Sequence, residues 1–279
     1  MMVRHRTSLP PRAALRLSCA LLLCSTVRGQ TPGSCTGNQD STALNSAAAA
    51  SPVPIKDEPH HRLVLQNDFL RVYNVAVPPL DATLLHRHDL PYLGVTFGTA
   101  ELVNAVSGKP EARVTLQDGQ VIYSPGGFAH VVRTDSGLPF HNITIELVRP
   151  QGTARNLCKQ VMEGPLGACP QQAAAGKKAS EAADEVVPYF ETDGVRIDLV
   201  KVAGGRDYVE ETPKLNSLLV ALNNANLDID LGGQHISFLH GGDIWWLPAA
   251  TPRKVVDFLG TKSNFLLVSF KDSPSAAKP

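Results

Sequence analysis

Residues 119–130 read GQVIYSPGGFAH, and residues 242–253 read GDIWWLPAATPR. Set side by side without a gap, Gly119 meets Gly242, Pro125 meets Pro248, and His130 falls opposite Arg253. Each stretch opens on a glycine, runs through residues of strand character and turns at a proline. Flanking segments match roughly as well: ELVNAV (101–106) and ITIEL (143–147) answer to NANLDIDL (224–231) and FLLVSF (265–270). An element that recurs in this way marks a duplicated domain.

Outward from the first copy, short apolar stretches rich in Val, Ile, Thr and Tyr follow one another, among them LRVYNVAV (70–77), YLGVTFG (92–98), EARVTL (111–116) and HNITIEL (141–147). Gly, Pro, Asn and Asp break them, and no long helical pattern intervenes. This spacing predicts an all-β fold, an antiparallel sandwich or barrel. A second set runs from VRIDLVKV (195–202) to FLLVSF (265–270). The expected organisation is a signal peptide over 1–29, a disordered tether over 30–57, a first barrel over 58–150, a linker over 151–186, a second barrel over 187–272 and a tail over 273–279.

The chain has 279 residues, 43% hydrophobic and 19% charged, which fits a globular protein with substantial cores. Its 26 basic and 26 acidic residues cancel, and no Lys/Arg run follows the first sixteen residues, so no nucleic-acid partner is expected. Arg4, Arg6, Arg12 and Arg16 precede the apolar stretch Leu17 to Val27, and small residues follow near Gly29. That is the pattern of a secretory signal peptide, too short for a membrane span, and it predicts a periplasmic or secreted protein. Cys19 and Cys24 would leave with the signal, and Cys35 lies in the tether. Cys158 and Cys169 flank a Gly-containing segment at a spacing that permits a loop-closing disulfide, which in an oxidising compartment would contribute about 3 kcal/mol. A metal-binding cysteine pair is the alternative, but no His or Cys stands nearby at ligand spacing.

LLHRHDLPYLGV (84–95) carries the chemistry. Residues two apart in a strand project from one face, so His86 and His88 present two imidazoles side by side. His130, just after a Pro-Gly-Gly turn, is the candidate third ligand. Three neutral imidazoles suit Fe, Zn, Cu or Ni better than Ca or Mg, and would hold Mn, also a candidate, less firmly than a site with a carboxylate.

These two segments resemble the paired motifs of the cupin family. The second motif, G-x5-P-x-G-x2-H-x3-N, matches Gly119, Pro125, Gly127 and His130, with Thr134 where Asn is usual. The first, G-x5-H-x-H-x3/4-E-x6-G, matches His86, His88 and, one residue early, Gly98. Leu80 stands at its leading Gly, and Tyr92 at its Glu. The resemblance implies two cupin-type barrels (jelly-roll, double-stranded β-helix) in tandem, a bicupin, with a divalent transition metal in the first.

Tyr92 either turns its phenol to the metal or fills the core. Asp89 faces away from the pair. His141 and Glu146, on one late strand with opposite facing, are candidates to orient a ligand imidazole or supply a fourth ligand. His60, His61, His235 and His240 show no partner pattern and read as ordinary surface or loop residues. In the second copy Glu210 and Glu211 occupy the approximate place of the first motif and Arg253 that of the second-motif His, a cation that would repel a metal. Of Trp245 and Trp246, one is expected in the core and the other at an interface.

A three-His site lacks an evident general base. The resemblance implies a metal-dependent dioxygenase or isomerase acting on a small organic molecule such as an enediol, phenol or keto acid. The alternative is a module that binds a small ligand, a sugar or anion, without turnover, or one with a structural role. Pairing of exposed strands between chains, as in small cupins, would give a homodimer, although no residue marks the surface.

Overall fold

The computed structural model describes residues 51–157, 161–163, 184–229, 231, 236–256 and 260–271. The predicted signal peptide, the tether up to residue 50, His235, the tail and the expected Cys158/Cys169 bridge lie outside the described residues.

Strands form where the chain alternates, and they lie buried on both faces where it does not. Phe140–Leu147 is buried at all but one of its eight positions, because one face lines the interior of the first half and the other meets the second half. The first half pairs two sheets. One runs in the order Val53–Pro54, His86–His88, Phe128–Arg133, Ala100–Val106, Ala112–Leu116. The other runs Met162–Glu163, Val121–Ser124, Tyr92–Phe97, Phe140–Leu147, Leu70–Val77, His61–Gln66. Tyr73, Val75, Val77 and Phe140 from the second sheet pack on Ile55, Leu102, Leu116 and Val132 from the first side.

The second half repeats the plan. Its larger sheet runs Arg155–Asn156, Glu185–Glu191, Val195–Val202, Ser263–Phe270, Asn216–Ala221, Ile244–Leu247, and its smaller one Asp207–Glu210, Arg253–Val256, Ala225–Asp228, Ile236–Leu239. Gly119 (φ 71°) and Gly242 (φ 92°) both hold left-handed backbone, as the sequence alignment requires. Ala250, opposite Gly127 (φ 79°), keeps that conformation at φ 60° despite its Cβ, and Leu80 at the leading-Gly position does the same at φ 60°.

Between the two larger sheets lies one continuous core, with Leu93, Val95, Ile143 and Ile145 from the first half against Ile197, Leu218, Leu266 and Val268 from the second. Trp246 packs on Phe69 and Phe270 at this junction, while Trp245 packs into the second half's own interior. Among the described residues no helix is long and apolar enough to cross a membrane.

Two expected boundaries are corrected. The tether does not extend to residue 57: Val53–Pro54 pairs in parallel with His86–Arg87, and Ile55 is buried in the core. The 151–186 segment is not simply a linker. Arg155–Asn156 pairs with Phe190–Glu191 of the second half, Met162–Glu163 returns to pair with Ile122–Tyr123 of the first, and the next strand starts at Glu185.

Candidate metal centre

Antiparallel pairing sets His86 directly opposite His130 and His88 opposite Phe128. His86, His88 and His130 are all buried, and exposed Arg87 between the first two confirms the two-residue alternation. His88 Nε2 lies 3.2 Å and His130 Nε2 3.1 Å from His86 Nε2. His88 and His130 therefore each turn a ring nitrogen toward His86.

Two of their outer nitrogens are anchored. His86 Nδ1 is 2.9 Å from the Leu84 carbonyl oxygen, which only accepts, so the proton sits on Nδ1 and Nε2 is left with its lone pair. His130 Nδ1 bonds Asn104 Oδ1 at 2.8 Å, with the same result. His88 Nδ1 is buried without a partner among the described residues. Burial, reinforced by the neighbouring imidazoles, pushes His86 down to about 4 and His88 and His130 well below the usual histidine value. All three are neutral at pH 7, the form that binds metal.

Two bare nitrogens 3.1 Å apart repel unless a cation lies between them. Imidazole nitrogens bound at about 2.0–2.1 Å to one ion sit about 3.0–3.4 Å from each other, so the residues present fit a transition metal.

A fourth imidazole approaches two of them. His61, expected to be an ordinary surface or loop residue, is buried, and one nitrogen each of His61, His86 and His88 falls within 4.8 Å of the others. The parallel pairing of Val53 with His86 carries the 53–61 segment over the site, a long-range contact without a spacing signature. Behind His61 stands Glu58, also missed. It is 1% exposed, and its Oε2 lies 2.5 Å from His61 Nδ1. Burial raises the Glu58 carboxyl, but hydrogen bonds from His61, His60 and the Leu84 amide outweigh it and hold the value at about 2. The run EPHHR (58–62) was the available cue.

The other candidates separate. Tyr92 stacks on His88 with ring centroids 4.3 Å apart, and burial pushes its phenol up to about 12 despite a hydrogen bond with Ser124. It lines the cavity as a neutral wall. His141 faces the second half, bonded to Asn74 at 3.2 Å and beside Phe97, so it does not orient a ligand. Glu146 is buried against Arg71, 3.4 Å away, and not in the cavity wall. Burial pushes its carboxyl up against the pull of Arg71. Residues of the neighbouring strand thus engage both side chains. Asp89 is exposed and pairs with Arg87.

The imidazoles line a cavity of about 90 Å³. Val75, Leu102, Leu116, Ile122, Val132 and Phe140 form most of the wall, with Thr83, Asn104, Asn142 and Thr144 as polar points and, among the described residues, no Asp, Glu, Lys or Arg. Gly94 leaves room for Asn142: a Cβ there would sit 3.2 Å from its Nδ2.

In the second half the register repeats with different chemistry. Glu210 faces Arg253 across the strands as His86 faces His130. Arg253, 2% exposed, bonds Glu210 Oε2 through Nε (2.8 Å) and Nη2 (2.5 Å). An ion pair fills the place of a metal. Among the described residues the three-donor group lies in the first half.

No protein-family model and no curated protein matches the sequence. Solved structures do. Salicylate 1,2-dioxygenase from Pseudaminobacter salicylatoxidans superposes with a TM-score of 0.54 at 14% identity, over 76% of this chain and 76% of that one. The fold is that of a bicupin. A structure of the same enzyme described as adducts with gentisate gives a TM-score of 0.52 at 13% identity, covering 72% and 68% of the two chains. AerE from Microcystis aeruginosa gives 0.51 at 10% identity, covering 77% of this chain and 99% of its own. At these identities the bicupin likeness establishes architecture, and chemistry has to be argued from the site.

Proposed function

We propose that the first half of this bicupin binds one divalent transition metal (Fe, Zn, Cu, Ni or Mn) through His86, His88 and His130, holds a small organic molecule beside it, and oxidises that molecule with dioxygen. The observation that carries this reading is the approach of the buried His88 and His130 ring nitrogens to within 3.1–3.2 Å of His86 Nε2 in the wall of a largely apolar cavity. When bound, the ion would act as a Lewis acid toward an oxygen ligand and, if redox-active, would supply electrons for dioxygen chemistry.

The chain's own residues do the rest. The aliphatic wall excludes water, Tyr92 contributes a neutral ring, and Asn142 and Thr144, bonded to each other at 2.8 Å, offer polar contacts inside the wall. A cavity of about 90 Å³ is smaller than the roughly 150 Å³ that takes a benzene ring, which favours a keto acid or enediol of a few carbons over a phenol. Binding without turnover is the second reading. It is favoured by the absence, among the described residues, of any carboxylate, lysine or arginine from the cavity wall to exchange protons with a ligand.

The test is elemental analysis of protein purified without chelator or His tag, beside the His86→Ala/His88→Ala double variant. About one equivalent of metal, absent from the variant, is expected. Dioxygen uptake with small keto acids and enediols then separates oxidation from binding alone. A metal-free protein that resists reloading would overturn the proposal.

A further inference from the structure

The first motif's carboxylate position holds Tyr92, yet a buried carboxylate stands just behind the imidazole cluster. Glu58 accepts from His60 N (2.9 Å), His60 Nδ1 (2.9 Å), His61 Nδ1 (2.5 Å) and Leu84 N (3.1 Å). Since a carboxylate only accepts, His61 holds a proton on Nδ1, which in the neutral ring leaves the Nε2 lone pair free to bind. The His61 ring lies 4.6 Å from the His86 ring, centroid to centroid, and lines the same cavity.

Leu84 ties the two imidazoles together. Its amide donates to Glu58, which fixes His61, and its carbonyl accepts from His86 Nδ1 at 2.9 Å. One residue's backbone thus sets the attitude of both rings. The parallel pairing of Val53 with His86 holds the whole 53–61 segment in place.

Building on the metal-binding reading above, we propose that His61 is a fourth nitrogen donor to the same ion and that Glu58 is the positioning residue that presents it. The carboxylate absent from residue 92 then acts one bond removed: it orients an imidazole, strengthens it as a donor and offsets the ion's charge from behind. The 53–61 segment becomes part of the site, and the ion is gripped from three separate stretches of chain, 61, 86–88 and 130.

The experiment loads the full protein with Cu(II), counts bound nitrogens by EPR hyperfine structure and measures affinity by chelator competition. Wild type should show four nitrogens. His61→Ala should show three, and both His61→Ala and Glu58→Gln should bind about 10- to 100-fold more weakly. His141→Ala, which removes an imidazole outside the cavity, should match wild type. Thermal unfolding of the metal-free forms checks folding; should Glu58→Gln fail to fold, the nitrogen count of His61→Ala decides alone, and His61→Gln replaces it should it too fail. If His61→Ala and Glu58→Gln keep the wild-type spectrum and affinity while His86→Ala/His88→Ala loses the metal, the inference falls and the three-histidine reading stands. If wild type takes up no Cu(II), both fall.

Discussion

Leu80 holds φ 60° while the residue is 77% exposed, so it has backbone strain and little packing to offset it. Replacing it with glycine, the residue its motif position calls for, should stabilise the protein by about 1 kcal/mol, read as a rise in Tm. Gly126 is the opposite case. At φ 73°, a Cβ there would lie 2.3 Å from the Leu90 carbonyl oxygen, which is backbone and cannot swing away. Gly126→Ala should cost more than about 2 kcal/mol and weaken metal retention, because neighbouring Gly127 N bonds His88 O at 2.7 Å. His86, His88 and His130 were legible because strand alternation and a Pro-Gly-Gly turn fix where they point. His61 was not: its approach to His86 depends on strand pairing across more than twenty residues, and no local period records that.

At the scale of the element, the Asp207–Glu210 and Arg253–Val256 pair shows what a metal position becomes without imidazoles. Arg253 is 2% exposed and its Nη1 has no hydrogen-bond partner among the described residues, whereas the Glu210 side chain keeps 32% exposure. Removing the two partners should therefore have unequal effects. Glu210→Ala strands a buried cation and should destabilise by more than about 2 kcal/mol, while Arg253→Met leaves a carboxylate that reaches water and should be nearly neutral, as denaturant titration would report. The substitution of Arg for His was visible in the aligned motifs, and Glu210 was expected near the first motif. Their direct cross-strand register needed the fold, since strand pairing is not written in either segment alone.

Over the whole molecule, the two halves are bound by a core that neither owns. Leu266, fully buried there, should cost about 2–5 kcal/mol on change to Ala, and calorimetry should show a single transition moving down rather than one half melting first. The tandem architecture was readable from the repeated Gly-x5-Pro element, but the junction was not, because strands apolar on both faces look alike whether they face a cavity or a neighbour. Those same strands have a second consequence. Tyr92 and Gly94, like Asn142 and Thr144, line the cavity, while Leu93, Val95, Ile143 and Ile145 on the reverse faces rest against the second half. The second half is thus the back wall of the cavity. Selection acting on its buried side chains can drift the size of the accepted ligand by small steps, leaving every metal-facing residue untouched.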